Sequence, residues 1–231
     1  MKVLLFNGSP NEKGCTFTAL SEVAKQLEKH SIETEIYQIG RQPVAGCIAC
    51  GKCKKGAPCI FDDGVNALAA RLDEFDAFII GAPVYYAGPS GQSTTFLDRL
   101  FYSASAKLKG KPGAAVVSCR RGGASAAFDR LNKYFGISSM PIVTSQYWNQ
   151  VHGNTAEEVL KDEEGMQTIR TLGENMAWLL KCIEAGKAAG VSTPEKEAPL
   201  RTNFIRLDQS RKGFPCGIFR NGYCIFSKSV L

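Results

Sequence analysis

Short continuous apolar runs alternate along the chain with stretches in which apolar residues recur at helical spacing. Lys2–Phe6 is the first run. It is closed by Asn7-Gly8-Ser9-Pro10 and predicts a buried strand. Thr16 to Lys29 places Phe17, Leu20, Val23, Ala24 and Leu27 on one helical face, and Ile32–Ile39 alternates as a strand does. Gly64–Phe75 predicts a helix with Val65, Leu68, Ala69 and Leu72 inward, followed by a buried strand, Ala77–Ala82, ended by Pro83. The series continues with a helix over Ser93–Ala106, a strand over Ala114–Ser118, a helix over Ala124–Phe135 and a fifth strand over Pro141–Ser145. A long helix is predicted from Glu157 to Ala188, interrupted near Gly165 or Gly173, with Cys182 in the core.

Strands and helices alternating at this pace imply βαβ units and a parallel sheet covered on both faces. Five strands fit the α/β, doubly wound, flavodoxin-like order 2-1-3-4-5, in which ligands sit beyond the carboxyl ends of the strands. The loops after strands one, three and four would therefore meet at one edge. This domain is expected to span 1–190 and to carry a cysteine-rich loop at 46–63. From 191 to 231 the composition changes: a linker-like Ser192–Glu197 leads to an apolar arm, Gly213–Leu231, holding Cys216 and Cys224. Asn221-Gly222 would turn a hairpin in that arm, which is expected to pack on the body or on a partner subunit.

Composition narrows the reading. With 231 residues, 44% of them apolar, the chain can bury a core, which excludes wholesale disorder. A net charge of +6 suits anionic small ligands but is too weak and scattered for nucleic acid. No apolar run approaches the roughly 18 residues that span a membrane. The opening run is too short for a signal-peptide core, so a cytoplasmic protein is expected.

The chemistry lies in four loops. The first, Gly8-Ser9-Pro10-Asn11-Glu12-Lys13-Gly14-Cys15-Thr16, joins a strand to a helix. Its hydroxyls and the backbone N–H groups at the helix start suit a phosphate; equally, it is an ordinary turn capped by Thr16. It is neither a Walker loop nor the dinucleotide glycine fingerprint. The second, Gly81-Ala82-Pro83-Val84-Tyr85-Tyr86-Ala87-Gly88-Pro89, lets backbone approach a flat ligand and sets two tyrosines beside it. The third is Ser118-Cys119-Arg120-Arg121-Gly122-Gly123, where arginines suit an anionic or electron-rich ligand. The fourth is Cys47-Ile48-Ala49-Cys50-Gly51-Lys52-Cys53 with Cys59, spaced C-x2-C-x2-C-x5-C, four of the chain's nine cysteines. In a reducing compartment such clustering points to metal or redox chemistry rather than disulfides. A [4Fe-4S] cluster, a zinc ion and an empty loop all remain open on spacing alone. Tyr147-Trp148-Asn149-Gln150-Val151-His152-Gly153 adds a stacking candidate, Trp148, and a proton donor, His152.

The first three loops, in this order and spacing, resemble the NADPH-dependent FMN reductase branch of the flavodoxin-like flavoproteins over residues 1–190. With the cysteine loop the chain is similar to the iron–sulfur flavoproteins of that group. The resemblance implies that Ser9, Asn11, Gly14, Cys15 and Thr16 bind the FMN phosphate. It implies that Pro83, Val84, Tyr85, Tyr86 and Gly88 cradle the isoalloxazine, and that Cys119, Arg120, Gly122 and Gly123 border it. Cys47, Cys50, Cys53 and Cys59 would ligate a [4Fe-4S] cluster. The implied activity is flavin-based oxidoreduction with NAD(P)H as co-substrate or a ferredoxin as donor, in which no side chain need act as acid or base; Tyr85, Trp148 and His152 lie where one would assist. The acceptor would be a small molecule or a redox protein, and the protein a homodimer or homotetramer. A carrier without a small-molecule substrate is the alternative.

Overall fold

A six-stranded sheet and six α-helices follow from this pattern in the computed structural model, which describes residues 1–195, 197, 198 and 200 and the backbone of 219, 220, 223 and 224. The strands are β1 (Lys2–Asn7), β2 (Glu33–Gln38), β3 (Ala77–Tyr85), β4 (Gly88–Pro89), β5 (Gly113–Cys119) and β6 (Gln150–His152). Five of them are parallel, in the order β2-β1-β3-β5-β6, while β4 is a two-residue antiparallel return on β3. With β4 set aside, this is the expected doubly wound order. The helices are α1 (Cys15–Lys29), α2 (Gly64–Arg71), α3 (Gly91–Ala104), α4 (Ala124–Ile137), α5 (Ala156–Val159) and α6 (Glu163–Ala188).

Strand alternation sorts the core into two layers. Leu4, Phe6, Phe78, Ile80, Ala115 and Val117 face α2, α3 and α4. Val3, Leu5, Ala77, Ile79, Ala114 and Val116 face α1 and α6. Both faces are covered, which is why the strands read as apolar runs.

Pro83 does not end β3. The pairing of β1 with β3 stops at Asn7↔Gly81, so the N–H that Pro83 lacks falls where no ladder bond is needed. Its partner on the other side is Ser118.

The fifth strand is displaced from its expected place. Pro141–Ser145 supplies one bridge, Gly113↔Ile142, and the strand itself is Gln150–His152, beside the far end of β5. Between them the chain leaves the sheet, and the buried Asn149 side chain donates to the Ala115 carbonyl at 3.0 Å, satisfying an acceptor the missing stretch would have taken.

The long helix breaks before both glycines. Asp162 caps α6 by accepting from Gly165 N at 2.9 Å. Gly165 and Gly173 lie inside α6 because a Cβ there would come within 2.3 Å of Asp162 Oδ2 and 2.6 Å of Gln26 Cβ respectively. Cys182 is exposed rather than in the core, on the face of α6 turned from the sheet.

The chain divides into two units, Met1–Ser192 and Thr193–Leu231; in the second, the backbones of Phe219–Arg220 and Tyr223–Cys224 pair antiparallel. The remainder of the apolar arm, and its expected packing, lie outside the described residues.

An ion-pair cluster closes the start of the sheet. Arg71 grips the Glu35 carboxylate with two N–H groups at 2.8 and 2.9 Å, and Lys2 Nζ adds a third contact at 2.8 Å. The Arg71 hydrogen bonds hold the Glu35 carboxyl down from 4.5 to about 2, against the opposing effect of burial. A carboxylate with a depressed folded-state pKa lends stability that is full above its unfolded value and lost as pH falls through its folded one. Chemical denaturation at a series of pH values is expected to show wild type losing stability between pH 4.5 and 2, and Glu35→Gln losing less over that window. Identical pH slopes would overturn this assignment.

Candidate functional site

The loops after β1, β3 and β5 are bonded into one edge. Gly8 N donates to Gly81 O at 2.8 Å, tying the first strand end to the second. Ser90 and Ser93 hydroxyls both donate to Gly8 O, at 3.0 and 2.7 Å. The Thr16 and Ser118 hydroxyls meet at 2.8 Å, linking the first turn of α1 to the end of β5. Gly8 has no room for a side chain: a Cβ would lie 2.2 Å from Ser93 Oγ.

Within the first loop, the buried Asn7 amide accepts from Ser9 N at 3.1 Å and donates to Glu12 O at 3.4 Å. Gln38 of β2 donates to Ser9 O at 2.7 Å. These bonds fix the path of residues 9–12, leaving Asn11 exposed at the rim. Thr16 is buried in its bond to Ser118, and the thiol of Cys15 donates to Gly153 O at 3.5 Å. Burial pushes the Cys15 and Cys119 thiols up, so both stay protonated near neutrality.

Two helix starts at this edge lack a side-chain cap: α1 behind Gly14 and α4 behind Gly123. The other four helices are capped by Asp63, Ser90, Thr155 and Asp162. The first-turn N–H groups of α1 and α4 therefore have no side-chain acceptor and can bind a ligand's oxygens.

The second loop is a tight hairpin. Tyr85 pairs with Gly88, so Tyr86 and Ala87 are the two central residues, with φ of 49° and 58°. Left-handed conformation at two adjacent non-glycine residues is unusual and costs roughly 1–2 kcal/mol at each. The turn rests against the third loop: a Cβ on Gly123, itself at φ +90°, would lie 2.6 Å from Ala87 Cα. Tyr86 stands fully clear of the surface and Tyr85 is half-exposed. Arg120, Arg121 and Gly122 line the opposite rim and are exposed. The half-exposed Trp148 and Tyr147 rings lie tilted against each other, 4.9 Å between centroids. His152 ends β6, with its Nδ1 3.5 Å from Asp162 Oδ2.

The cysteine loop is seated on α3. Gln92 donates to the Gly40 and Gln42 carbonyls at 3.1 and 2.8 Å, holding the entry to the loop. Two turns on, Arg99 is buried and reaches its far end. The Nε and Nη2 groups of Arg99 both donate to Cys59 Sγ at 3.3 Å. Nη1 donates to Ala45 O and to one Asp63 oxygen at 2.6 Å, and Nη2 is shared further with Phe61 O and the other Asp63 oxygen, the latter at 3.0 Å. The guanidinium also lies 4.9 Å from the Phe61 ring centroid. Asn66 holds the backbone of Cys59 from the other side, accepting from its N–H and donating to its carbonyl, each at 2.9 Å. Left-handed turns at Ala49, Gly51 and Gly56 fold the rest of the loop back on itself.

Cys47, Cys50, Cys53 and Cys59 thereby line one small hollow, walled by Phe61 and Tyr102. Cys47 and Cys50 are exposed, Cys53 and Cys59 half-buried. Among the described residues no group of three or more His, Cys, Asp or Glu side chains is set to grip a single metal ion. Four soft thiols on one hollow, one of them receiving two N–H bonds from a buried cation, form a donor set suited to an iron–sulfur cluster.

The sequence reading found all four loops but missed the groups that hold them. Asn7, Gln38, Asp63, Asn66 and Arg99 carry no motif. For Arg99 the signal was available: a charged residue among Phe96, Leu97, Leu100 and Phe101, on the buried side of a helix, needs a partner.

The family model of NADPH-dependent FMN reductases matches residues 1–155. An iron-sulfur flavoprotein of Methanocaldococcus jannaschii is 30% identical over 192 residues, which cover 80% of this chain and all of that one. Two solved structures are similar in fold. RosB with a bound 8-demethyl-8-formylriboflavin-5'-phosphate gives a TM-score of 0.64 at 16% identity, covering 95% of this chain and 100% of RosB. A flavodoxin from the domain Archaea gives 0.53 at 16%, covering 78% and 99%. None of the described helices is long and apolar enough to cross a membrane. With the family match running from β1 through β6, over most of the chain, this protein belongs to the NADPH-dependent FMN reductase family of flavin oxidoreductases.

Proposed function

We propose that this chain is an iron–sulfur flavoprotein in which FMN lies on the edge formed by the first three loops and a [4Fe-4S] cluster is held by Cys47, Cys50, Cys53 and Cys59. The observation that carries this reading is that one rigid helix, α3, starts at the flavin-side hairpin and seats the cysteine loop through Gln92 and Arg99. When bound, the isoalloxazine supplies hydride acceptance from a nicotinamide, and the cluster supplies passage of single electrons.

The chain's own residues bind and orient. Backbone N–H groups at the start of α1, with Ser9, Asn11, Gly14, Cys15 and Thr16 around them, receive the phosphate. The hairpin Pro83, Val84, Tyr85, Tyr86 and Gly88 forms one wall for the ring. Cys119, Arg120, Gly122 and Gly123 would form the other, with the exposed guanidinium of Arg120 favouring an electron-rich ring there. Trp148 and His152 stand at the edge, where a proton is delivered to a small-molecule acceptor if one is used. Cys47 and Cys50, the exposed pair, would adjust to the cluster, while Cys53 and Cys59 stay half-buried. The exposed Lys52, Lys54 and Lys55 flank Cys53 along the chain, and their positive charge favours an acidic redox protein as donor or acceptor. The same reading takes residues 1–190 as the flavin domain and the 191–231 arm as a contact in a homodimer or homotetramer. It places the protein in the cytoplasm, where its free thiols stay reduced.

The test is a visible spectrum of anaerobically purified protein, with iron and acid-labile sulfide assayed on the same sample. Flavin bands over a broad reducible shoulder, with iron and sulfide each about four per chain, are expected. Cys59→Ser is expected to keep the flavin and lose most of the iron. Flavin without iron in wild type would reduce the reading to a plain FMN reductase. Neither chromophore after added FMN would overturn it.

A further inference from the structure

We infer that Arg99 is a positioning residue that sets the reduction potential of the cysteine-loop cluster through Cys59. This rests on the cluster reading above. Arg99 is the largest fully buried side chain of the described residues, yet it faces the cysteine loop rather than solvent. Two of its N–H groups end on one sulfur, at 3.3 Å each. Its remaining contacts lock the plane of the guanidinium: Asp63 bidentately, the Ala45 and Phe61 carbonyls, and the Phe61 ring. With Asn66 holding the Cys59 backbone, neither partner of the N–H···S contact can turn away without breaking several bonds.

The four cysteines are therefore unequal. Cys59 is fixed in both backbone and sulfur, whereas Cys47 and Cys50 are exposed. A cluster bound by four thiolates gains one negative charge for each electron it takes up. A buried cation donating two hydrogen bonds to one ligand sulfur favours the more negative, reduced form. Asp63 offsets part of that charge, but its carboxylate takes the Nη1–Nη2 edge of the guanidinium while the sulfur takes the Nε–Nη2 edge, and the carboxylate is partly exposed to solvent. The directional N–H···S bonds are left in place.

The experiment is a redox titration with dithionite, followed by electron paramagnetic resonance, on iron-loaded wild type, Arg99→Met and Arg99→Gln. Iron and sulfide are assayed on each sample. Loss of the charge and both donors in Arg99→Met is expected to lower the reduced-to-oxidised ratio at the wild-type midpoint by about tenfold. That equals a midpoint about 59 mV more negative for one electron. Arg99→Gln keeps one donor and loses the charge, so a smaller shift in the same direction is expected; it carries the test if Arg99→Met does not fold. An iron-loaded variant with an unshifted midpoint and an unchanged resonance spectrum overturns the role given to Arg99 and leaves the cluster reading standing. Iron-free wild type would overturn both.

Discussion

Asp63→Ala is expected to destabilise the fold by about 3–5 kcal/mol, the loss typical of breaking a buried ion pair from one side. Asp63 does two jobs. Its carboxylate accepts from Val65 N at 3.1 Å and so caps α2, and it takes two N–H groups of Arg99. The Arg99 side chain is 1% exposed and that of Asp63 32%, so water replaces only part of the lost acceptor. The cap alone is worth about 1 kcal/mol; the larger part comes from leaving a guanidinium buried against carbonyls and one thiol. Urea denaturation of the whole chain measures the loss. Lys107–Asp73, an exposed pair on the same side of the sheet, is the comparison, and its removal should change little. If the two deletions cost the same, the Arg99 cluster is not the anchor of the cysteine loop.

Gly123→Ala is expected to weaken FMN binding about tenfold or more while leaving the fold intact. Two effects act together. A residue other than glycine at φ +90° is strained, and the new Cβ meets the Ala87 backbone at 2.6 Å and Val84 Cγ1 at 3.0 Å. The hairpin that presents Tyr85 and Tyr86 must then shift away from the third loop. Because 1.4 kcal/mol corresponds to a factor of ten in affinity, even partial relief of this strain through the hairpin gives a measurable change. Gly136→Ala is the control. Gly136 lies near the C-terminal end of α4, away from the three loops, and a Cβ there has nothing within 4 Å, so its flavin affinity should stay near wild type. Titration of apoprotein with FMN, read by quenching of flavin fluorescence, gives both constants. Equal affinities for the two variants would show that the contact between the loops does not shape the flavin seat.

Most of the fold was legible because its strands are buried on both faces. Lys2–Phe6, Ala77–Ala82 and Ala114–Ser118 could hardly be anything but central strands, and the glycine- and proline-rich segments after them could only be loops at one sheet edge. The errors fall where tertiary bonds replace local pattern. Pro141–Ser145 looks more strand-like than Gln150–His152, yet the sheet uses the latter because Asn149, a polar residue, fills the gap beside Ala115. Gly165 and Gly173 read as helix breaks; what they provide is close packing of α6 on Asp162 and Gln26. The site was legible in its motifs and opaque in its supports. A row of cysteines announces itself, whereas Arg99 and Asn66 act on one of them from α3 and α2 across gaps of forty and seven residues.

The seating of the cysteine loop on α3 also sets a length. Gln92 and Arg99 are seven residues apart on one helix, a rise of about 10 Å. The interval between the hairpin and Cys59 is therefore gauged by helix pitch rather than by loop slack. A single residue inserted between them would turn Arg99 by about 100° around the helix axis and carry its fork off the sulfur. Substitutions and insertions in the exposed cysteine loop leave that gauge untouched. Within this architecture the side chains around Cys47 and Cys50 are free to vary so long as the cysteine spacing is kept, while α3 is not free to change its length.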